Sequence, residues 1–247
     1  MDTGKRKMVK QMNHAFMITS AINTKFGVFT SEQRLQQTKD TINSITGRVP
    51  GARIFLIEMG AIPLTAEQHS ELELVVDDIV NFDDDQDVKD IFNGSENWDW
   101  VKNATEVMCF KQAIEQLRDK GAFKDIDRVH KISGRYRLYE AFDLSVYDAH
   151  PNKIVVKEAM PSQFPLGMTL VAKQYMSRLW SWPVALTDEV IRAYEDGFVY
   201  IAWRISEGGY CDIEHMLYKF LPAEHIHTVK LTGVTGNIGP NGARIED

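Results

Sequence analysis

Between residues 15 and 80 the chain alternates short, unbroken apolar runs with segments of helical spacing, and the links are short. Ala15 to Ile22 and Arg53 to Ile57 have strand length and no polar face, which suits strands buried on both sides. Between them Leu35, Thr38, Ile42 and Ile45 recur at three- and four-residue spacing behind Ser31-Glu-Gln-Arg34, a helix start capped by Ser31. Gly47 and Pro50-Gly51 end that helix. A short helix entered through Thr65 and a third strand over Leu74–Val80 complete a β-α-β-α-β order. Neighbouring parallel strands need crossover helices, so this order predicts an α/β fold with a mainly parallel open sheet flanked by helices.

Farther on, a long helix is expected from about Asp99 to Lys120, then a strand over Asp127–Ser133. The second half is less regular. Strands are read at Lys153–Lys157, Met168–Ala172 and Leu179–Trp182, and helices at Asp188–Gly197 (behind Thr187) and Asp212–Leu221. Gly233, Gly236, Gly239, Pro240 and Gly242 make the tail a turn-rich loop. No composition shift marks a linker, so the chain is read as one domain.

The net charge of −7 disfavours a broad grip on nucleic acid, which depends on neutralising phosphates. The compact basic run Lys5, Arg6, Lys7, Lys10 reads as a solvated terminus. Two cysteines, Cys109 and Cys211, read as buried free thiols. No apolar stretch is long enough to span a bilayer, so a cytoplasmic protein without a membrane partner is expected.

In an open parallel sheet, ligands bind beyond the carboxyl ends of the strands. Those ends carry Thr19 and Ser20, Glu58, Asp83 to Asp85, and the run Lys131-Ile-Ser-Gly-Arg-Tyr136. Strand alternation sends Lys131, Ser133 and Arg135 to one side, and Gly134 allows close backbone approach to a ligand. Two cations and a hydroxyl on one edge suit a diphosphate. Asp83 and Asp85 have D-x-D spacing and could chelate Mn²⁺ or Mg²⁺; a solvated acidic loop is the alternative. Asp212-Ile-Glu-His215 opens a late helix, and a carboxylate or imidazole there could act as general base. Neither GxGxxG nor a P-loop pattern occurs. Trp180, Trp182 and Trp203 either pack the core or offer faces to an acceptor.

The first strand ending Thr19-Ser20-Ala21, then Arg34 and Gln37-Thr-x-x-Thr-Ile-x-Ser-Ile45, then Pro50 and the strand Ile54–Glu58, resemble the start of GT-A-fold glycosyltransferases. The likeness is one of pattern and order over residues 14–140. It implies a hexosyl- or pentosyltransferase using a nucleotide-sugar donor such as a UDP-sugar, with residues 14–140 as the donor half and 141–247 as the acceptor half. It adds Arg34 to the donor-side residues and gives Asp212 and Glu214 an acceptor-side role, with His215 beside them. The acceptors open to this chemistry are a glycan, a small molecule and a hydroxylated nucleobase of DNA. In that family the fourth strand usually ends in a metal-binding D-x-D; here the slot holds Lys131-Ile-Ser-Gly-Arg135, so the cations are expected to replace the ion. The rival readings are a nucleotidyltransferase on a related sheet and a non-catalytic binding protein.

Overall fold

A computed structural model describes residues 12–238 and 242–247. The basic run at the N-terminus and the Gly239-Pro240 part of the tail lie outside these residues.

In chain order the elements are β1 (His14–Ser20), α1 (Ser31–Arg48), β2 (Arg53–Glu58), α2 (Ala66–Glu73), β3 (Asp78–Asn81), α3 (Gln86–Gly94), α4 (Trp98–Asp119), β4 (Arg128–Ser133) and β5 (Tyr136–Leu138). There follow α5 (Leu144–Asp148), β6 (Ile154–Lys157), β7 (Met160–Pro161), α6 (Leu166–Thr169), β8 (Lys173–Gln174), β9 (Leu179–Pro183), α7 (Thr187–Ser206), α8 (Ile213–Phe220), β10 (Ile226–Val229), β11 (Val234–Asn237) and β12 (Arg244–Glu246). The main sheet has the order β10-β6-β9-β4-β1-β2-β3. Strands β3, β2, β1 and β4 run parallel, β9 is antiparallel to β4 and β6, and β10 is parallel to β6.

Alternation along the central strands divides the core in two. Ala15, Met17, Phe55, Ile57 and Val129 face α4, α7 and α8. Phe16, Ile18, Ile54, Leu56 and Ile132 face α1 and the small β5-β11-β12 sheet. Both faces are covered, which is why the strands read as continuous apolar runs.

Local chemistry sets the helix starts. Thr30, rather than Ser31, caps α1: its hydroxyl accepts from Gln33 N while the Gln33 side chain accepts from Thr30 N. Thr65 and Gln68 repeat that box at α2. Asp85 caps α3, a helix placed where an acidic loop was expected. The strand expected over Leu74–Val80 is shorter. Leu74 is 85% exposed, and Asp77 accepts from Ile54 N at 2.7 Å and pairs with Arg53, so pairing begins only at Asp78.

The strand expected over Met168–Ala172 is a helical turn ending in Leu170 at φ +54°. Arg204 pins that turn by donating to Met168 O, and Tyr200 pins it by donating to Thr169 O. Helix α7 runs past Gly197, expected as its stop. A Cβ there would lie 2.0 Å from Met216 Cγ, so this glycine lets α7 and α8 cross closely. Trp180 and Trp182 are fully buried core residues, and only Trp203 of the three is exposed. Cys109 and Cys211 are free and buried. Among the described residues no helix is long and apolar enough to cross a membrane.

Candidate functional site

A cavity of about 400 Å³ opens at the carboxyl ends of β1 and β4 and is closed from above by α4, the start of α8 and the segment after β8. Strand ends are natural ligand sites because the outgoing loops diverge there. The structure brings Thr19, Ser20, Arg34, Ser133, Arg135, Asp212 and Glu214 together on its walls.

Arg34 is buried, and its guanidinium donates to Ala21 O and Phe26 O at 3.2 and 3.0 Å. Burial, then the nearby Arg135 charge, lowers its pKa to about 10. Its donors are spent on the β1–α1 loop, so it shapes the wall rather than offering a free cation. Arg135 differs. It makes no hydrogen bond or ion pair within the described residues, and its Nε is buried without a partner. A half-buried guanidinium in that condition keeps its donors unused.

Several residues named at strand ends do not line the cavity. Lys131 is fully buried behind the wall, where Nζ donates to Glu106 Oε1, Ser133 Oγ and Ser177 O at 2.9, 2.9 and 3.0 Å. Alternation placed it on the correct side, but it holds three wall groups instead of reaching a ligand. Gly134 faces the protein itself: a Cβ would lie 3.0 Å from Thr38 Oγ1 and 3.3 Å from Thr19 O. Glu58 is fully buried and accepts from Ile22 N at 2.9 Å. Asp83 lies away from the cavity, after β3, where its N donates to Asn81 Oδ1.

Asp83 and Asp85, read as possible metal ligands, both stand outside the lining of this cavity. Asp85 accepts from Val88 N as the α3 cap, and the intervening Asp84 pairs with Lys89. Among the described residues no group of three His, Cys, Asp or Glu is arranged to hold a metal.

His215 also stands behind the wall. It is fully buried, with Nδ1 2.6 Å from Asp212 Oδ1 and Nε2 2.8 Å from Ser162 Oγ. Asp212 caps α8 through His215 N and accepts from Tyr210 OH at 3.2 Å, so its carboxylate is fixed on several sides. Glu214 is held through one oxygen only, by Ser177 Oγ at 2.5 Å.

The two acids are driven apart. Burial works to raise the pKa of Asp212, but the hydrogen bonds and charge of His215, with Lys102 behind them, lower it on balance. Burial and then the Asp212 charge raise that of Glu214, against the pull of Lys102 and Ser177. A pair of carboxylates with opposed shifts offers one acid held as the anion and one that protonates more readily than a free carboxyl.

Helix α4 contributes residues that strand-end reasoning missed. Asp99, Lys102 and Glu106 share its cavity face at helical spacing. The Lys102 ammonium makes no hydrogen bond or ion pair within the described residues. Burial opposes its charge, but Glu214, Glu106 and Asp212 together raise its pKa. Burial would likewise raise Glu106, yet Lys131 and Lys102 bring it below the ordinary carboxylate value. The aromatic rim comprises Phe26 packed edge-on against Trp98 at 5.0 Å, and Phe164 against Tyr210 at 4.1 Å.

Known proteins agree with this architecture in fold. Core-mannan synthase A from Aspergillus fumigatus, solved in an Mn/GDP form, superposes with a TM-score of 0.51 at 9% identity, over 94% of this chain and 77% of that one. The chain carries a GT-A-like fold. No protein-family model matches it, and no curated protein matches it.

Two stability effects follow from these buried groups. Lys131→Met would leave Glu106 unpaired, and removing one partner of a buried pair costs about 3–5 kcal/mol. The expected fall in Tm is at least about 6 °C; thermal unfolding within 2 °C of wild type would contradict it. Burial raises the Glu58 pKa to about 7. Because the folded value lies above the unfolded one, its stabilising share is complete below the unfolded pKa and is lost as pH rises through about 7. The loss is about 3 kcal/mol. Glu58→Gln is therefore expected to shrink the stability difference between pH 5 and pH 8 by that amount in urea titrations; an unchanged difference would refute the assignment.

Proposed function

We propose that the chain is a glycosyltransferase that moves a sugar from a nucleotide-sugar donor to an acceptor hydroxyl. The observation that carries this reading is the meeting, in one cavity at the ends of parallel strands, of two uncommitted cations and an acid pair of opposed character. Residues 14–140 form the donor half and residues 141–247 the acceptor half. Arg135 and Lys102 hold the donor diphosphate, with Thr19, Ser20 and Ser133 as neutral donors on the same wall. Glu214 takes the proton of the acceptor hydroxyl. The acceptor oxygen forms a bond to the anomeric carbon as the bond from that carbon to the diphosphate oxygen breaks. The electron pair leaves with the nucleoside diphosphate, where Arg135 and Lys102 meet its charge. Asp212, fixed by His215 and Tyr210, keeps Glu214 basic.

GT-A enzymes commonly use a divalent metal beside the diphosphate. The residues at the end of β4 do not fit one: Ser133, Gly134 and Arg135 replace the carboxylates, and Glu106 is committed to Lys131.

A thermal-shift panel of nucleotide sugars, nucleoside diphosphates and nucleoside triphosphates, each with and without Mn²⁺, tests the donor class. A ligand at a hundred times its Kd adds about 2.7 kcal/mol, or roughly 5–10 °C in Tm for a chain of this size. Nucleotide sugars should give that shift. Stabilisation by triphosphates alone would favour nucleotidyl transfer, and no response to any nucleotide would end the proposal.

A further inference from the structure

Arg135 has a second face. Behind it lies a separate hollow of about 170 Å³ between α1, β5 and the β11–β12 pair. Among the described residues three arginines line it, Arg135, Arg137 and Arg244. Among the described residues Asp40 is the one carboxylate on its walls, and it already accepts from Gln36 Nε2 at 2.8 Å. Arg244 pairs with Glu246, and both are exposed. The Arg137 guanidinium, like that of Arg135, has no hydrogen bond or ion pair within the described residues. Gln37 adds a buried amide end without a partner. An amide turns over at little cost, so this end can present either donors or an acceptor.

The hollow is also built by sequence. At Gly236 a Cβ would lie 2.2 Å from Arg135 O and 2.7 Å from Tyr136 Cδ1. Glycine alone lets β11 close down on β5 and form this wall. Three like charges gathered round a concavity repel one another, and two of them lack any acceptor. An anion with several oxygens relieves both conditions, because each guanidinium offers parallel N–H groups matched to an oxyanion. The space is under half that of the donor cavity, too small for a nucleotide sugar and suited to a single tetrahedral group.

We propose that this hollow binds a small tetrahedral dianion of the phosphate class through Arg135, Arg137 and Arg244. The site stands on its own geometry and does not depend on the donor reading. It lies beside the donor cavity and shares one guanidinium with it.

The test is calorimetric titration of the full chain with inorganic phosphate, at ionic strength held constant with chloride. The wild type should show saturable binding in the millimolar range or tighter. The double variant Arg137→Ala, Arg244→Ala should weaken it at least tenfold, while Lys102→Ala, which alters only the donor cavity, should leave it within twofold. Both arginines are exposed, so the double variant should melt within about 2 °C of wild type. No saturable binding, full affinity in the double variant, or an equal loss in Lys102→Ala would overturn the site. Failure of the donor reading would appear in the nucleotide panel and leave this isotherm unchanged.

Discussion

Glu214→Gln is expected to lower kcat by about 10²–10⁴, the usual contribution of a positioned general base, while the Tm shift produced by a nucleotide sugar stays within about 2 °C of wild type. Gln keeps the hydrogen bond to Ser177 and the shape of the wall, and removes only the proton acceptor. The pH profile gives a sharper reading. Burial and the Asp212 charge hold the Glu214 pKa above its ordinary value. Its basic form therefore accumulates later than in a free carboxyl, and kcat should rise with pH through that raised value. Asp212→Asn removes the neighbouring charge but retains a good helix cap, so the acidic limb should move to lower pH. An unmoved limb, or a Glu214→Gln enzyme of normal kcat, would remove Glu214 from the chemistry.

The parts of the fold legible in sequence are those whose periodicity matches their burial. Strands β1 and β2 are buried on both faces, and α1 and α4 carry long faces of consistent spacing. Legibility failed where tertiary contacts override pattern. Leu74 and Val75 look like core but are exposed, because Asp77 diverts the chain onto Arg53 and the Ile54 amide. The aspartates before α3 conceal a helix whose cap is one of them. Gly197 reads as a stop, yet the α7–α8 crossing requires it.

The same holds in the site. Alternation along β4 gives the side on which Lys131 lies but not its depth, and Glu106 from α4 intercepts it. Lys102 and Glu106 stand four residues apart on a helix read from sequence only as a span, Asp99 to Lys120. Their spacing was visible; their purpose depended on knowing which helix roofs the sheet. Asp212 and Glu214 open a helix, where acids are common, and only the His215 and Ser177 contacts distinguish them.

Arg135→Ala is expected to reduce kcat/KM by about 10²–10³, the loss found when one preorganised donor to a developing charge is removed. Its guanidinium has no other partner among the described residues. A guanidinium already tied to a carboxylate or to carbonyls, as in Arg34, would contribute structure; Arg135 has only its prospective ligand. Truncation should therefore leave Tm close to that of wild type, since the half-buried guanidinium loses no partner among the described residues, while the nucleotide-sugar shift falls sharply. Arg135→Lys should recover only part of the activity, because a lysine returns the charge without the fork of donors. If the cations carry the charge of the departing diphosphate, wild-type turnover should persist in excess EDTA. Abolition by EDTA with full recovery on adding Mn²⁺, joined to an Arg135→Ala enzyme of near-normal kcat/KM, would assign that task to a metal and leave the guanidinium to the second hollow alone.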